Sequence, residues 1–235
     1  MQNDISYKRP NFKQLIFPQD CVLCNGTSQV GVVCQECLIT LPVHKQPACP
    51  QCGLWSPQSE QCGSCLKALP EFDKTTAAFD YEFPIVELIR AYKYGSRLAL
   101  GDFFAEHLMN KIKHEARPEI LLPMPLHTFR LKQRGFNQAA EITRYISSQM
   151  NLQMSLTSLI KTRDTLPQVE LPWDERRKNI KNAFECKDTF SNMHVAIIDD
   201  VITTGASLNE AAKVLKKHGA KTVSVWVIAR TQLKN

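Results

Sequence analysis

Apolar and polar positions along the chain follow two rhythms, and the changes between them outline strand-loop-helix units. Val195, Ala196, Ile197 and Ile198 form an uninterrupted apolar run, β-branched at three of its four positions, which predicts a central parallel strand covered on both faces. Asp199, Asp200, Val201 and Ile202 follow, then Thr203, Thr204, Gly205, Ala206 and Ser207. Past them Leu208, Ala211, Ala212 and Leu215 recur at helical spacing until Gly219, predicting a helix whose N-terminus lies at the threonine-glycine segment. Ile120, Leu121, Leu122 and Pro123 predict a second buried strand, and Ala139, Ile142 and Ile146 the apolar face of a helix after it. Earlier, residues 77–83 read as a strand, Pro84 as a helix start with Ile85, Leu88, Ile89 and Tyr92 on its buried face, and residues 100–113 as a further helix. The expected fold class is α/β, a mostly parallel sheet flanked by helices. Loops after the two apolar strands then face one another across its carboxyl edge, where such sheets bind ligands.

A chain of 235 residues with 43% hydrophobic content has room for one ordinary domain and a small module. Residues 1–19 lack the apolar core of a signal peptide, and no later run is long enough to cross a bilayer. No membrane insertion is expected, and the chain reads as cytoplasmic. Residues 66–74, with Pro70, mark a boundary, so the expected division is an N-terminal segment (1–19), a cysteine-rich module (20–66) and the α/β domain (75–235).

Eight of the nine cysteines form four CxxC pairs, Cys21/Cys24, Cys34/Cys37, Cys49/Cys52 and Cys62/Cys65, and the second four repeat the first four at an offset of 28. Two CxxC turns complete a tetrahedral four-thiolate shell of the kind structural Zn²⁺ prefers, with no coordination position left open for catalysis. Two structural zinc ions are therefore expected, and they supply folding energy that so short a segment lacks. Pairing within each repeat is favoured, with Cys34/Cys37 joined to Cys49/Cys52 as the open alternative. Disulfides would need an oxidising compartment, and a thioredoxin-like redox pair fits four repeated pairs poorly. Eight thiolates and two dications take the formal charge from +6 to about +2, which concentrates basic character in the rest of the chain. Cys186, beside Ala183 and Phe184, is expected to be a packed core thiol.

The threonine-glycine segment has the chemistry of an anion site. A helix N-terminus offers unpaired N–H groups and a positive dipole end, the hydroxyls of Thr203, Thr204 and Ser207 add donors, and Gly205 lets the backbone approach. The alternative is that Thr204 or Ser207 only caps the helix. Asp199 and Asp200 would repel a phosphate, so they are expected to turn away from it, towards ribose hydroxyls or hydrated Mg²⁺. The order of apolar run, two acids and Thr-Thr-Gly loop resembles the phosphoribosyl-pyrophosphate motif of type I phosphoribosyltransferases. Arg130, Lys132 and Arg134 precede Gly135-Phe136-Asn137-Gln138, and Arg130 and Arg134 are candidates for neutralising pyrophosphate. Arg90, Lys93 and Arg97 surround Tyr94 and Gly95 as either a solvated basic face or a phosphate-facing one.

Pro123-Met124-Pro125-Leu126-His127, the run 130–138, the spaced set Arg163, Thr165, Gln168, Leu171, Arg176, Asn179 and Phe184, and the 199–207 motif together are similar to the ComF family. These are competence-associated proteins with a phosphoribosyltransferase domain behind a cysteine-rich zinc module. The resemblance covers most of residues 21–230. It implies a type I phosphoribosyltransferase fold behind a double zinc ribbon, phosphoribosyl pyrophosphate with Mg²⁺ as ligand, and a role in DNA uptake during natural transformation. It places Asp199 and Asp200, the candidate catalytic pair, on the ribose hydroxyls. Thr203, Thr204, Gly205 and Ser207, with Ala206 among them, fall on the 5′-phosphate, and the loop after Pro123 on pyrophosphate. Residues 163–181 become a lid in which Arg163, Arg176, Arg177, Lys178 and Lys181 close over the ligand. The segment after Pro123 departs from the pattern of many salvage enzymes in containing proline instead of a short glycine-rich loop. No catalytic base is evident; His127 is a candidate by position only, and a structural or surface histidine is favoured. The competing class is a non-catalytic protein that binds single-stranded DNA or DNA-uptake partners and keeps the ribose-phosphate site for sensing. Residues 127–187 hold eleven Lys or Arg against six Asp or Glu, which suits a phosphodiester backbone as well as pyrophosphate.

Overall fold

The computed structural model of the chain describes residues 19–29, 31–95, 97–164 and 179–232. In the cysteine-rich part, β1 (Gln19–Asp20) pairs antiparallel with β2 (Thr27–Ser28), and two short helices, α1 (Gln35–Leu38) and α2 (Gly63–Lys67), each begin directly after the third cysteine of a repeat, Cys34 and Cys62. The α/β part opens with β3 (Lys74–Asp80), α3 (Ile85–Tyr94) and α4 (Ala99–Ile112), followed by β4 (Ile120–Pro123), α5 (Thr128–Arg134), α6 (Gln138–Met150) and β5 (Gln153–Met154). β6 (Leu159–Lys161) and β7 (Phe184–Cys186) form a separate antiparallel pair, and β8 (His194–Ile202), α7 (Ala206–Lys217) and β9 (Thr222–Arg230) complete the order.

The five-stranded sheet runs β3-β9-β8-β4-β5 with all neighbours parallel. Successive side chains of a strand point to opposite faces, and the two central strands are apolar on both. Val195 and Ile197 of β8 and Val223, Val225 and Val227 of β9 pack with Leu208, Ala211, Ala212 and Leu215 of α7. Ala196, Ile198, Trp226 and Ile228 pack on the other face with Ile85, Leu88 and Tyr92 of α3, Phe104 of α4, and Ile142 and Ile146 of α6. Among the described residues no helix is long and apolar enough to cross a membrane.

The structure shifts three expectations. The first strand begins at Lys74 and stops at Asp80, not at 77 and 83. Thr75 pairs with Val225 while its hydroxyl donates to the Gln51 carbonyl at 2.7 Å, and at the far end His44 and Gln232 hold the Asp80 carboxylate at 2.8 and 2.9 Å. Arg130 and Arg134 lie on the short helix α5, not in an extended loop: His127 Nδ1 accepts from Phe129 N at its start, and Gly135, with φ of 82°, closes it. Cys186 packs against the core from β7 as expected but is only half-buried there, and its thiol donates to the Asp188 carbonyl at 3.2 Å.

Candidate functional site

The site follows from where β4 stops. Pro123 stands opposite Ile198 in the β4–β8 register, and Met124 N donates to the Ile198 carbonyl at 2.8 Å. Beyond that point β8 continues through Asp199 to Ile202, paired only on its β9 side, Asp199 with Val227 and Ile202 with Arg230. The two acids therefore line a crevice at the carboxyl edge between neighbouring loops. On one side, Asn137 caps α6 by accepting from Ala139 N and Ala140 N at 3.0 and 3.4 Å, while its amide donates to the Met124 carbonyl at 3.1 Å, fixing the loop after β4 to the helix. On the other, Gly205 turns β8 into α7 with φ of 78°, a conformation an L side chain resists. Thr204 Oγ1 accepts from Ala206 N at 3.2 Å, a local bond of the turn that presents the helix N-terminus, while the N-cap position itself is Gly205 and has no side-chain cap. Ser207 lies in the first turn of α7.

Lys93 of α3 relieves the repulsion between the acids. Its ammonium pairs with Asp200 Oδ2 at 2.8 Å. Burial works against the charge on Lys93, but Asp200 and then Asp199 outweigh it and hold the ammonium above its ordinary range. Asp199 Oδ1 accepts from Asp200 N at 2.8 Å; burial first, and the neighbouring Asp200 second, push its carboxyl up to about 7. Arg90 instead pairs with Glu87 at 3.2 Å on the exposed face of α3, and Arg97 is exposed, so the basic cluster read from the sequence divides into one site residue and two solvated ones.

Further cations surround the crevice. Arg134 donates to Gln138 Oε1 at 2.7 Å and to the Tyr94 hydroxyl at 3.2 Å, with its guanidinium 5.2 Å from the Tyr94 ring centroid. Lys161 of β6 is lowered by burial, against the pull of Asp164 and Asp199. Asp164 faces both Arg130 Nε at 3.9 Å and His127 Nδ1 at 3.8 Å. Arg163 donates to the carbonyls of Asn179 and Lys181 at 2.9 and 2.7 Å, joining the chain on either side of residues 165–178. Arg176, with Thr165, Gln168, Leu171 and most of the expected lid, lies outside the described residues. A cavity of about 650 Å³, lined by Pro125, Leu126, Phe136, Glu141, Leu159 and Lys161 among others, opens between the loop after β4, α6 and β6; its size suits a small-molecule ligand.

The cysteines gather as two separate sets, Cys21, Cys24, Cys34 and Cys37, and Cys49, Cys52, Cys62 and Cys65, with the sulfurs of each set within 4.8 Å of one another. Pairing is thus within each repeat, and the nested alternative is excluded. Sulfur separations of 3.7 Å (Cys24–Cys34), 3.5 Å (Cys52–Cys62) and 3.9 Å (Cys49–Cys65) match the edge of about 3.8 Å that a tetrahedron with Zn–S of about 2.3 Å requires, against about 2.05 Å for a disulfide. Burial opposes ionisation of Cys21, yet the backbone N–H groups of Cys34, Cys24 and Leu23 bring it down to about 6. Cys49 falls to about 7 in the same way. Burial and the neighbouring thiolates push Cys37 and Cys65 up. Four sulfurs that cannot all ionise together unaided form a set that a dication completes, and two structural zinc ions fit.

Lys161, Asp164 and Arg230 were not singled out by sequence reasoning. The first two come from the β6 region, which carries no strong pattern. Arg230 did leave a signal, as the single cation closing the apolar residues 223–229 apart from Ser224.

The sequence matches the family model described as Double zinc ribbon domain over residues 12–66 and that described as Phosphoribosyl transferase domain over residues 125–233. It is similar to the DNA utilization protein YhgH of Escherichia coli O157:H7, at 32% identity over 226 residues, 92% of this chain and 99% of that protein. It is equally similar to Competence protein F of Haemophilus influenzae, at 32% over 223 residues, 89% of this chain and 96% of that one. Among solved structures, glutamine phosphoribosylpyrophosphate amidotransferase from B. subtilis, complexed with ADP and GMP, aligns with a TM-score of 0.38 and 15% identity over 58% of this chain and 30% of that one.

Proposed function

The chain belongs to the ComF family, and on that premise we propose that it is a phosphoribosyltransferase-like protein that binds phosphoribosyl pyrophosphate with Mg²⁺ and acts in DNA uptake. The observation that carries this reading is the crevice itself: an acid pair and a helix N-terminus on consecutive segments of one strand-loop-helix unit, ringed by Lys93, Arg134 and Lys161. In this reading residues 75–235 form the transferase-like domain and 20–66 the zinc-binding module.

The 5′-phosphate sits at residues 203–207, against the first turn of α7. Asp199 and Asp200 accept from the ribose hydroxyls and offer hard oxygen ligands to the cation. Mg²⁺, when bound, stabilises negative charge on a departing pyrophosphate. Arg130 and Arg134 add positive charge on the β4 side, and Arg163 and Arg176 belong to the segment that shields the ligand. Calorimetric titration with phosphoribosyl pyrophosphate and Mg²⁺ tests the reading. Saturable binding by the wild-type chain, lost in Asp199→Asn/Asp200→Asn with fold and zinc content intact, is expected. A folded, zinc-loaded wild type that shows no binding rejects it.

The relatives' names, a competence protein and a DNA utilization protein, favour a second reading. In it the chain handles single-stranded DNA or uptake partners and the ribose-phosphate site senses its ligand without turnover. Salt-sensitive binding of single-stranded DNA without pyrophosphate release favours that class, and steady turnover with a defined acceptor favours the enzyme.

A further inference from the structure

Arg230 is 3% exposed at the end of β9, and a buried guanidinium needs both its charge and its N–H donors compensated. Its Nε donates to the Cys52 carbonyl at 2.7 Å. Its Nη1 donates to the carbonyls of Ile202 and Thr231, each at 3.1 Å, and also to that of Thr203. Cys52 is a ligand residue of the second four-cysteine set, Ile202 is the last residue of β8, and Thr203 begins the loop that leads into α7. We propose that Arg230 is a positioning residue that joins the second zinc site to the 203–207 loop, so that zinc at that site and anion binding at the loop are linked. The loop's anion-binding role rests on the functional reading above.

Two physical arguments carry the link. In a trans peptide the carbonyl and the following N–H point in opposite directions. Holding the Ile202 and Thr203 carbonyls towards the zinc module therefore turns the N–H groups of Thr203 and Thr204 the other way, out of the Arg230 side of the loop. The donors' orientation is set from behind by a side chain that itself depends on the Cys52 backbone. The second argument is charge. Four thiolates around a dication carry a formal −2, and the guanidinium of Arg230 lies where it feels Cys52, Cys62 and Cys65, so the loaded site offsets a buried positive charge.

The packing is built for the contact. Gly53, next to Cys52, has φ of 71°, and a Cβ there would lie 3.7 Å from both Cγ and Cδ of Arg230 and 3.3 Å from Thr75 Cγ2. The turn after Cys52 thus needs glycine for its conformation and lies directly against the arginine stem. The first four-cysteine set has different surroundings: Cys21 and Cys34 pack into the apolar layer with Phe79 and Ile85. The second forms its own small cluster with Leu54.

Linkage is reciprocal: if zinc at the second site favours the binding-competent loop, a ligand at the loop holds the zinc more firmly. The test combines calorimetry with phosphoribosyl pyrophosphate and Mg²⁺, zinc release to a chromogenic chelator, and hydrogen exchange at residues 203–207. Arg230→Lys keeps the charge but lacks the fork that spans several carbonyls. It is expected to retain both zinc ions and to bind the ligand about tenfold more weakly, within the range found for coupled positions. Cys62→Ser, with Arg230 in place, should weaken binding to a similar degree, and more than Cys24→Ser, which removes a zinc ligand from the first site. Ligand should slow the release of one zinc ion in the wild type and not in Arg230→Lys. Wild-type affinity in Arg230→Lys, or equal effects of Cys62→Ser and Cys24→Ser, overturns the proposal; if Arg230→Lys does not fold, the cysteine comparison decides. If the wild type binds no ligand, the functional reading fails, and hydrogen exchange then judges the link alone. Faster exchange at 203–207 in Cys62→Ser than in Cys24→Ser supports it, and equal exchange refutes it.

Discussion

Two adjacent carboxylates in one crevice repel, and Lys93 pairs directly with Asp200, at 2.8 Å; Asp199, half-buried beside it, is left at about 7. That shift has a sign for stability. Below the ordinary carboxylate range Asp199 is protonated in both the folded and the unfolded chain. From there up to about 7 the unfolded chain sheds a proton that the folded chain keeps, so stability falls with rising pH and levels off above that value. Asp199→Asn removes this slope, and its urea midpoint relative to wild type should rise between about pH 4 and about pH 8. A difference that stays flat across this range means the carboxyl titrates normally. Asp199 and Asp200 were legible because their meaning lies in local order, acids closing an apolar run ahead of Thr-Thr-Gly. Lys93 was only half legible, since its partner comes from β8, more than a hundred residues later in the chain.

The elements divide along the same line. β8, α7, β4 and α6 follow from apolar periodicity, and both four-cysteine sets from a ligand spacing confined to short turns. α5 was missed because its seven residues, rich in Arg and Lys, show no apolar face. Its existence depends instead on His127 at the start and Gly135 at the end. At the β8–α7 junction, Gly205 has room for a methyl group, the nearest atom being Ile202 Cδ1 at 3.5 Å, but its φ of 78° does not suit an L residue. Gly205→Ala should therefore destabilise the protein by about 1–2 kcal/mol, read as a lower melting temperature, and weaken ligand binding as the turn relaxes. An unchanged melting temperature would show that the turn does not need this conformation. Each four-cysteine set predicts its own metal: native mass spectrometry of the desalted protein should find two zinc ions per chain, and Cys21→Ser should retain one. Unchanged zinc in that variant would count against the assignment.

At the scale of the whole molecule, the order of modules was legible and their docking was not, because docking depends on surfaces formed by residues far apart in the chain. His44 meets buried Asp80 at 2.8 Å, Gln232 donates to the same carboxylate oxygen at 2.9 Å and accepts from Trp55 N at 3.0 Å, and Thr75 N donates to the Pro50 carbonyl at 3.0 Å. With zinc bound, such joined polar contacts should make the two modules melt as one transition in scanning calorimetry; two separate transitions would show that they are independent. The strand order has a further consequence. β3 and β8 are separated in the sheet by β9, which is made after every other described strand. During synthesis β3 leaves the ribosome early with neither strand neighbour nor Arg230 in place, and β8 waits with one side open. The nascent chain therefore carries unpaired strand edges until β9 is made. The final passage of β9 into the gap closes the sheet and, through Arg230, brings the early-made zinc module against the late-made loop in a single event.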